Sequence, residues 1–584
     1  MKKIIALVLL LAAATCLFAA KEKEVPKVEK TMPFTKGLNL SVWLEVRNNS
    51  SWLSERFGRQ DFEDIKSIGV DIVRIPIHFE SWSSGAPDYI IEDWVWEILD
   101  KAVDWCTELK LYVIIDFHND CLGKFSTSPD IEKVLKKIWP QIAGHFKDSG
   151  EYVLYELFNE PHMRSGNVAA DVAKWNKIQG NILKLIRTID TTHTVIVGAE
   201  NWNGVVELLK LPDYKDDNII YNYHDYLPFL FTYQGASGFD VERIKNVPFP
   251  YDKNRMPPLP KNPTDSEKWW YENYPELSKE ANLVKPLDHA VKFANKRKVA
   301  LMCNEYGCNM TYADPAERLN WYRLKAKWMD ERNIIRVSWN YRDANGLFNY
   351  NIKDLTWFEQ NMAYKVRFPE DLNKDLLEAM GYTVPSVPPR QYNTWLDSAK
   401  KKGDYTIYNN GFAENTHVYG LTNKEQDMKF SPCRINKKDS PDEPSYIYME
   451  NMKAKSYDYW GVDFGGTCDF SSLVSNGKSL EFEVRTNQKN LKFDCRFKQF
   501  ADYSEGKTGF PWRASSNVKV SGNGDWQKIS IPLKDFYEVG AWNEVEQKWY
   551  NNEGLFNWKK VQDLEFAITE DLTDDVSIRN IAIR

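Results

Sequence analysis

The stretch "VLYELFNEPH", Val153 to His162, decides how this chain folds. A β-favouring run ends on Asn159-Glu160-Pro161. Proline has no N–H and a fixed φ, so the strand stops there and Glu160 is left at its tip. Asn159 beside it offers an amide able to bond a hydroxyl. One exposed glutamate at a strand end is ordinarily a solvated surface residue. Its meaning depends on what the rest of the chain brings next to it.

Working outward, similar runs recur: "GLNLSVWL" (37–44), "VDIVRIPI" (70–77), "YVIIDF" (112–117), "TVIVG" (194–198), "IIYNY" (219–223), "VALMCN" (299–304) and "IRVSWN" (335–340). Between them lie amphipathic patterns at 92–110, 130–148 and 314–332, and Pro140 is expected to kink or shorten the second. Mostly continuous apolar strands alternating with helices imply a parallel sheet covered on both faces. Eight such units in about 340 residues fit an α/β fold of the (β/α)₈ TIM-barrel type. An open sheet would carry a glycine-rich phosphate turn after its first strand, and none is present.

"DLNKDLLEAMGY" (371–382) reads as the last helix of the barrel, and the proline- and lysine-rich 383–404 as a linker. From 405 the pattern changes to short alternating runs such as "SLEFEVRT" (479–486) and "WQKISIPL" (526–533), with no long helix. That predicts an all-β jelly roll or sandwich over 405–584, after a barrel over 31–382.

The first residues, "MKKIIALVLLLAAATCLFAA", join two lysines to a short apolar run and small residues, the pattern of a secretory signal peptide over 1–20. A secreted, periplasmic or cell-surface location is expected; lipidation at Cys16 is disfavoured by Thr15 before it. No later stretch reads as a membrane span. A net charge of −7 argues against nucleic acid as a partner. Aromatic residues make up 14% of the chain, which suits stacking on flat ligands such as sugar rings. The scattered cysteines match neither a disulfide framework nor a zinc site; Cys303 and Cys308 are the pair to examine.

In a barrel the residues that follow the strands meet on one face. Arg74 lies in strand two, and His118 and Asn119 follow strand three. Asn159 and Glu160 follow strand four, and Trp202 follows strand five. His224 and Tyr226 follow strand six, Glu305 follows strand seven, and Trp339 ends strand eight. Each alone has an ordinary structural account; one shared rim is a constellation. Two carboxylates facing each other across a small barrel are what glycosidic cleavage uses, one to protonate the leaving oxygen and one to attack or to activate water.

"YELFNEPH" with "LMCNEYG", preceded by "VRIPIHFESW" and "VIIDFHND", resembles glycoside hydrolase family 5, the retaining cellulases and mannanases, over roughly 34–382. "YNYHDYLPFLFTYQGAS" (221–237) is similar to that family's sixth-strand segment. The resemblance implies Glu160 as acid/base and Glu305 as nucleophile. It implies that Tyr226 orients Glu305, that Arg74 keeps it ionised, and that His118, Asn159 and His224 hold the sugar and the acid/base network. Trp339 becomes the stacking platform. Asn119 stands where the family often has a second histidine, and Asn304 where glycine is usual. The tail resembles carbohydrate-binding jelly rolls of cellulases, with Trp526 and Trp558 in core positions and Trp512, Trp542, Trp549 and Tyr550 as stacking candidates.

The segment 225–282 is long for a barrel connection, and its Trp269, Trp270 and Tyr271 either line a cleft or pack the loop. The expected activity is endo-β-1,4-glucanase on a β-glucan polysaccharide, by a monomer without a cofactor; the resemblance to jelly-roll modules leaves room for a structural calcium in the tail, but the sequence offers no distinctive ligand set for it. A mannanase, a xyloglucanase or an exo-β-glucanase on the same barrel stays open, as does a non-catalytic polysaccharide-binding surface protein. A metal-dependent hydrolase is disfavoured, because no close His/Asp set accompanies His118 and His224.

Overall fold

The computed structural model describes residues 25–45, 56–118, 126–349, 368–388, 403–409, 417–421, 433–437, 439–440, 443–449, 456, 458–543 and 545–584. Eight parallel strands close into a barrel in chain order. They are β1 Lys36–Asn39, β2 Ile72–Ile77, β3 Tyr112–Phe117, β4 Val153–Glu156, β5 Thr194–Gly198, β6 Ile219–His224, β7 Ala300–Glu305 and β8 Ile335–Ser338. β1 pairs with both β2 and β8, which closes the ring.

The helices wrap the outside: α1 Arg59–Ser67, α2 Asp93–Leu109, α3 Ile131–Phe146, α4 Val168–Arg187, then α5 Phe229–Thr232, α6 Asp265–Leu277 and α7 Glu280–Arg297 after β6, with α8 Pro315–Asp330 and α9 Lys374–Ala379 at the end. Their starts follow capping chemistry. The Asn167 side chain accepts from Ala170 N before α4, Asp314 caps α8 with Pro315 as its first residue, and Thr264 and Glu267 form a capping box on α6. α3 runs on through Pro140 and is not cut short there; Ile138, Trp139, Ile142 and Ala143 on either side of it are all buried, so packing holds the helix together. The long connection after β6 is likewise not a bare loop, because α5 and α6 lie within it.

Strand alternation divides the barrel's contents. Val73, Ile75, Val113 and Ile115 point outward into the layer beneath the helices. Ile72, Ile114, Leu154, Ile196, Ile220 and Met302 point inward and fill the N-terminal end of the bore with Phe34. Two residues further along the same inward rows stand Arg74, Asp116, Glu156 and Asn222, all buried. The bore therefore changes from apolar to polar at one level, and the polar level is the floor of the C-terminal face.

The tail is all-β. One sheet orders its strands His417–Leu421, Tyr459–Cys468, Val561–Ile568, Leu491–Gln499, Arg513–Val520, Tyr537–Asn543 and Lys548–Tyr550. The other orders Cys433–Lys437, Tyr446–Met449, Val576–Ile583, Ser479–Arg485 and Gln527–Pro532, with Tyr405–Tyr408 also on Val576–Ile583. Phe482, Val484, Phe493, Phe497, Leu564 and Phe566 from both sheets make the core between them. Among the described residues no helix is long and apolar enough to cross a membrane. Cys106, Cys303, Cys308, Cys468 and Cys495 are free thiols, so Cys303 and Cys308 are not bridged.

Candidate active site

Arg74 is the hub of the polar floor. It is fully buried, and its guanidinium spends its donors on five partners. Nε and Nη2 fork onto Glu156 at 2.6 and 3.0 Å; Nη1 donates to Asn39 Oδ1 at 2.9 Å and to Glu305 Oε1 at 2.7 Å; Nη2 also donates to Asn159 Oδ1 at 2.8 Å and lies 2.9 Å from Asp116 Oδ2. Burial works against the charged guanidinium, but the carboxylates of Asp116, Glu156 and Glu305 outweigh it and lift its pKa well above the usual value.

Glu305 reaches this hub through an irregularity. Along the β6–β7 pairing Tyr223 faces Cys303 but His224 faces Glu305, one residue too far for a regular ladder. The extra residue is Asn304. Because of this bulge Asn304 and Glu305, neighbours in sequence, both reach the barrel interior: Asn304 Nδ2 donates to Glu156 Oε2 at 2.7 Å, and Glu305 meets Arg74. Asn304, in the position where the family resemblance expects glycine, thus helps hold the carboxylate that holds Arg74.

The other oxygen of Glu305 accepts from Tyr226 Oη at 2.8 Å and lies 3.5 Å from His224 Nδ1. Burial would raise the Glu305 carboxyl. The charges of His224 and Arg74 and the phenol hydrogen bond outweigh that and hold it below the ordinary range. His224 shows the reverse balance: burial pushes it down, and Glu305 and Glu160 bring it above the usual imidazole value. Its Nδ1 is 2.6 Å from Glu160 Oε1. One carboxylate oxygen each of Glu160 and Glu305 and a ring nitrogen of His224 all lie within 4.8 Å of one another. Glu160 is the more open of the pair, with its side chain 21% exposed against 6% for Glu305.

His118 is fixed from both sides. Asn159 Nδ2 is 3.3 Å from its Nε2 and Asp116 Oδ2 is 2.7 Å from its Nδ1, so Asn159 donates to a neutral ring whose Nδ1–H donates to Asp116. Burial, reinforced by Arg74, lowers the imidazole pKa, in keeping with that neutral form. Burial pushes Asp116 up to about 7, with Arg74 opposing. The His118 ring stacks near Trp339 at 5.8 Å between centroids. Gly307 passes so close to the Trp339 carbonyl that an added Cβ would stand 2.4 Å from its oxygen. Only glycine admits this approach.

Of the residues named from sequence, Arg74, His118, Asn159, Glu160, His224, Tyr226, Glu305 and Trp339 are thus joined in one network. Asn119 lies outside the described residues. Trp202 is partly exposed beside the Glu160 strand tip: its backbone N–H donates to Pro161 O at 3.1 Å and its ring stacks on His162 at 3.6 Å, with the Arg164 guanidinium 5.4 Å from its ring centre. Asn39, Asp116, Glu156, Asn222 and Asn304 were missed. Their signal was the one that picked out Arg74, a polar residue on the inward row of an otherwise apolar strand.

In the tail, Trp512 is fully buried against Phe510 and leaves the set of stacking candidates. Trp549 is exposed, lies directly across from Trp542 in the ladder and covers Gly540. Trp558 packs against the core as expected. Trp526 does not: it is half-buried under the guanidinium groups of Arg485 and Arg579, at 4.5 and 4.1 Å.

Residues 30–345 match the family model for cellulase (glycosyl hydrolase family 5), and 404–584 match carbohydrate binding domain 30. Endoglucanase C of Acetivibrio thermocellus is 30% identical over 323 residues, which are 53% of this chain and 91% of that protein. Endoglucanase 3 of Fibrobacter succinogenes is 29% identical over 336 residues, and the chain spans 51% of its length. The crystal structure of endoglucanase Cel5A from the hyperthermophile Thermotoga maritima superposes with a TM-score of 0.46 at 26% identity, covering 59% of this chain and 96% of that one. The chain belongs to the cellulases of glycosyl hydrolase family 5, and carries a carbohydrate binding domain 30 after the barrel.

Proposed function

We propose that the protein is a glycoside hydrolase that cuts internal β-1,4-glucosidic bonds of cellulose or a related β-glucan with retention of configuration. The observation that carries this reading is the close approach of Glu160 and Glu305, within 4.8 Å, with unequal surroundings. Carboxyl groups about 5–5.5 Å apart suit a covalent intermediate, whereas about 6.5–9.5 Å leaves room for an inverting water.

In this mechanism Glu305, held ionised by Arg74, His224 and Tyr226, attacks the anomeric carbon as the C–O bond breaks, and Glu160 gives its proton to the departing oxygen. Once the Glu305 charge is consumed in the glycosyl ester, Glu160 takes a proton from water, which then attacks the same carbon and frees Glu305. The free Nδ2 hydrogen of Asn159 and the His118–Trp339 wall would hold the sugar, and no step uses a metal or cofactor.

The barrel over 31–382 is taken as the catalytic unit, 383–404 as a linker and 405–584 as the substrate-holding unit, with Trp542 and Trp549 as its stacking faces. Secretion through 1–20 and a monomeric state belong to the same proposal. Support for the glucan comes from the endoglucanase relatives.

The test is product release from carboxymethylcellulose, mixed-linkage β-glucan, xyloglucan, glucomannan and mannan, wild type beside Glu305→Ala, with NMR of the first anomer released. Fast internal cleavage of the glucans, lost in the variant, is the expected result. Faster cleavage of mannan or xyloglucan reassigns the substrate, and a first product of inverted configuration rejects the covalent step. Binding without cleavage of any polymer would leave a sugar-binding protein.

A further inference from the structure

A helix that covers a barrel normally turns an apolar stripe inward. α8 does not: Arg318 and Lys325 lie on its buried face beside Trp321 and Tyr322. Arg318 is accounted for by the loops it ties, since Nε donates to Cys308 O at 2.9 Å and Nη2 to Asn345 O at 3.0 Å. Lys325 has a different partner. Its Nζ donates to Asp225 Oδ2 at 2.6 Å, with the two side chains 1% and 3% exposed. Taking both charges out of water costs about as much as the pair returns, so it adds little stability over two apolar side chains of similar size. The mechanism above uses neither residue.

What distinguishes the pair is where it holds the chain. Side chains alternate along the extended end of β6, so His224 and Tyr226 turn toward Glu305 and Asp225 between them turns out to α8. All three bear on Glu305: Tyr226 Oη donates to Oε2 at 2.8 Å, His224 Nδ1 lies 3.5 Å from Oε2, and Asp225 N donates to the Glu305 carbonyl at 2.9 Å. α8 grips the same segment a second time, because Trp321 Nε1, one turn before Lys325, donates to Leu227 O at 3.1 Å. Asp225 Oδ1 accepts from Leu227 N at 3.1 Å, which ties the two grips together. Cys303 and Tyr223, buried on this outer side, stay neutral: burial, with the Asp225 charge adding to it, pushes both well up.

We propose that Lys325 is a positioning residue for Glu305: through Asp225 it pins the end of β6 from behind, and so keeps His224 and Tyr226 against the carboxylate. Lys325 touches no reacting atom, and it acts on the cleft only through the backbone of residues 224–226. A link to Asp225 fixes three contacts to Glu305 at once, which no single bond inside the cleft does. This rests on the glycosidase reading above, in which Glu305 must stay ionised and aimed. It adds the residue outside the cleft that keeps it so.

The experiment compares wild type with Lys325→Met and with Lys325→Met combined with Asp225→Asn. It reads kcat, KM and the pH profile of kcat/KM on carboxymethylcellulose, and stability by chemical unfolding. Lys325→Met leaves the Asp225 carboxylate buried without its cation and is expected to lose stability; the double variant removes that charge as well and is expected to regain stability over the single one. The rate should not return with it: kcat stays about tenfold down in the double variant, with KM within about twofold of wild type. The acid limb should also move to higher pH, since a loosened phenol and imidazole hold the Glu305 carboxyl less far below its ordinary range. A wild-type kcat in the double variant, or an unmoved limb, would show that the pair serves only the fold and would overturn the proposal. Where the single variant does not fold, the double variant against wild type decides. A crystal structure of the double variant reads position without turnover: Tyr226 Oη is expected beyond about 3.5 Å from Glu305 Oε2. A contact kept at 2.8 Å overturns the proposal whether or not wild type cleaves. A lost contact with no wild-type cleavage of any polymer keeps the positioning role and rejects the hydrolase.

Discussion

Arg74 and Glu305 form a buried ion pair, 2.7 Å between Nη1 and Oε1, in which the arginine is already committed to Glu156 through a two-pronged contact. The pair is held from below, so the Glu305 side chain cannot turn away without breaking the floor of the barrel. Among the described residues Glu160 has no such anchor to Arg74, and its Oε1 meets His224 Nδ1 at 2.6 Å. One carboxylate is fixed and charged and the other is open to the cleft.

The two glutamates should therefore fail differently. Glu305→Ala is expected to lose all turnover on every substrate. Glu160→Ala should lose about 10²–10⁴-fold on polysaccharide but much less on an aryl glycoside whose leaving group needs no proton. Azide should restore Glu160→Ala as a glycosyl azide of unchanged configuration. Parallel losses on both substrate types would reject the assignment.

Replacing Arg74 tests the hub. Arg74→Met leaves the carboxylates of Asp116, Glu156 and Glu305 buried without their cation, a loss of about 3–5 kcal/mol by chemical unfolding. Arg74→Lys returns the charge but not the fork, so it should regain part of that stability and remain about 10²-fold slow.

The acid side of the pH–rate profile reads Glu305. Its carboxyl is held below the ordinary range, so kcat/KM should fall only at pH below the usual glutamate value. Tyr226→Phe removes the phenol hydrogen bond and should move that limb to higher pH. An unmoved limb would assign it to another group.

Asp343 tests stability against pH. It is buried, accepts from Asn345 N at 2.8 Å and from Ser41 and Asn340, and burial pushes its pKa up to about 6 from the ordinary 3.8. The folded state then holds the proton more tightly than the unfolded one. That contribution is full below about pH 3.8 and is lost as pH rises through about 6. Asp343→Asn should remove the decline, so the variant gains on wild type by up to about 3 kcal/mol between pH 4 and 7.

Metal ions separate the remaining chemistry. Chelator should leave activity intact. Added Zn²⁺ should inhibit competitively with substrate, since Glu160, His224 and Glu305 present two oxygens and a nitrogen to one point. Loss of activity on chelation would reopen the metal-dependent reading.

The eight strands and the rim that carries Arg74, Glu160, His224 and Glu305 were legible because strand periodicity and the proline after Glu160 are local properties of the chain. So was the change to short alternating runs after 405. The floor was less legible. Asp116 and Glu156 read as isolated acids in apolar runs, and only the closed barrel puts them on one guanidinium. Asn304 shows in the sequence only as a departure from the usual glycine, and the bulge it makes turns two successive residues inward.

By itself, then, the sequence determined the order of strands and helices and the strand ends that bear the acids. Tertiary structure decided how the charge on Glu305 is held. Burial works to raise the carboxyls of Asp116, Glu156 and Glu305, and only closure of the ring sets Arg74, His224 and Tyr226 around Glu305 and leaves Glu160 at the open edge. It also decided that Trp512 is core and that Trp526 lies under arginines. Distances between residues remote in sequence are set by how the elements pack, and no local pattern encodes them.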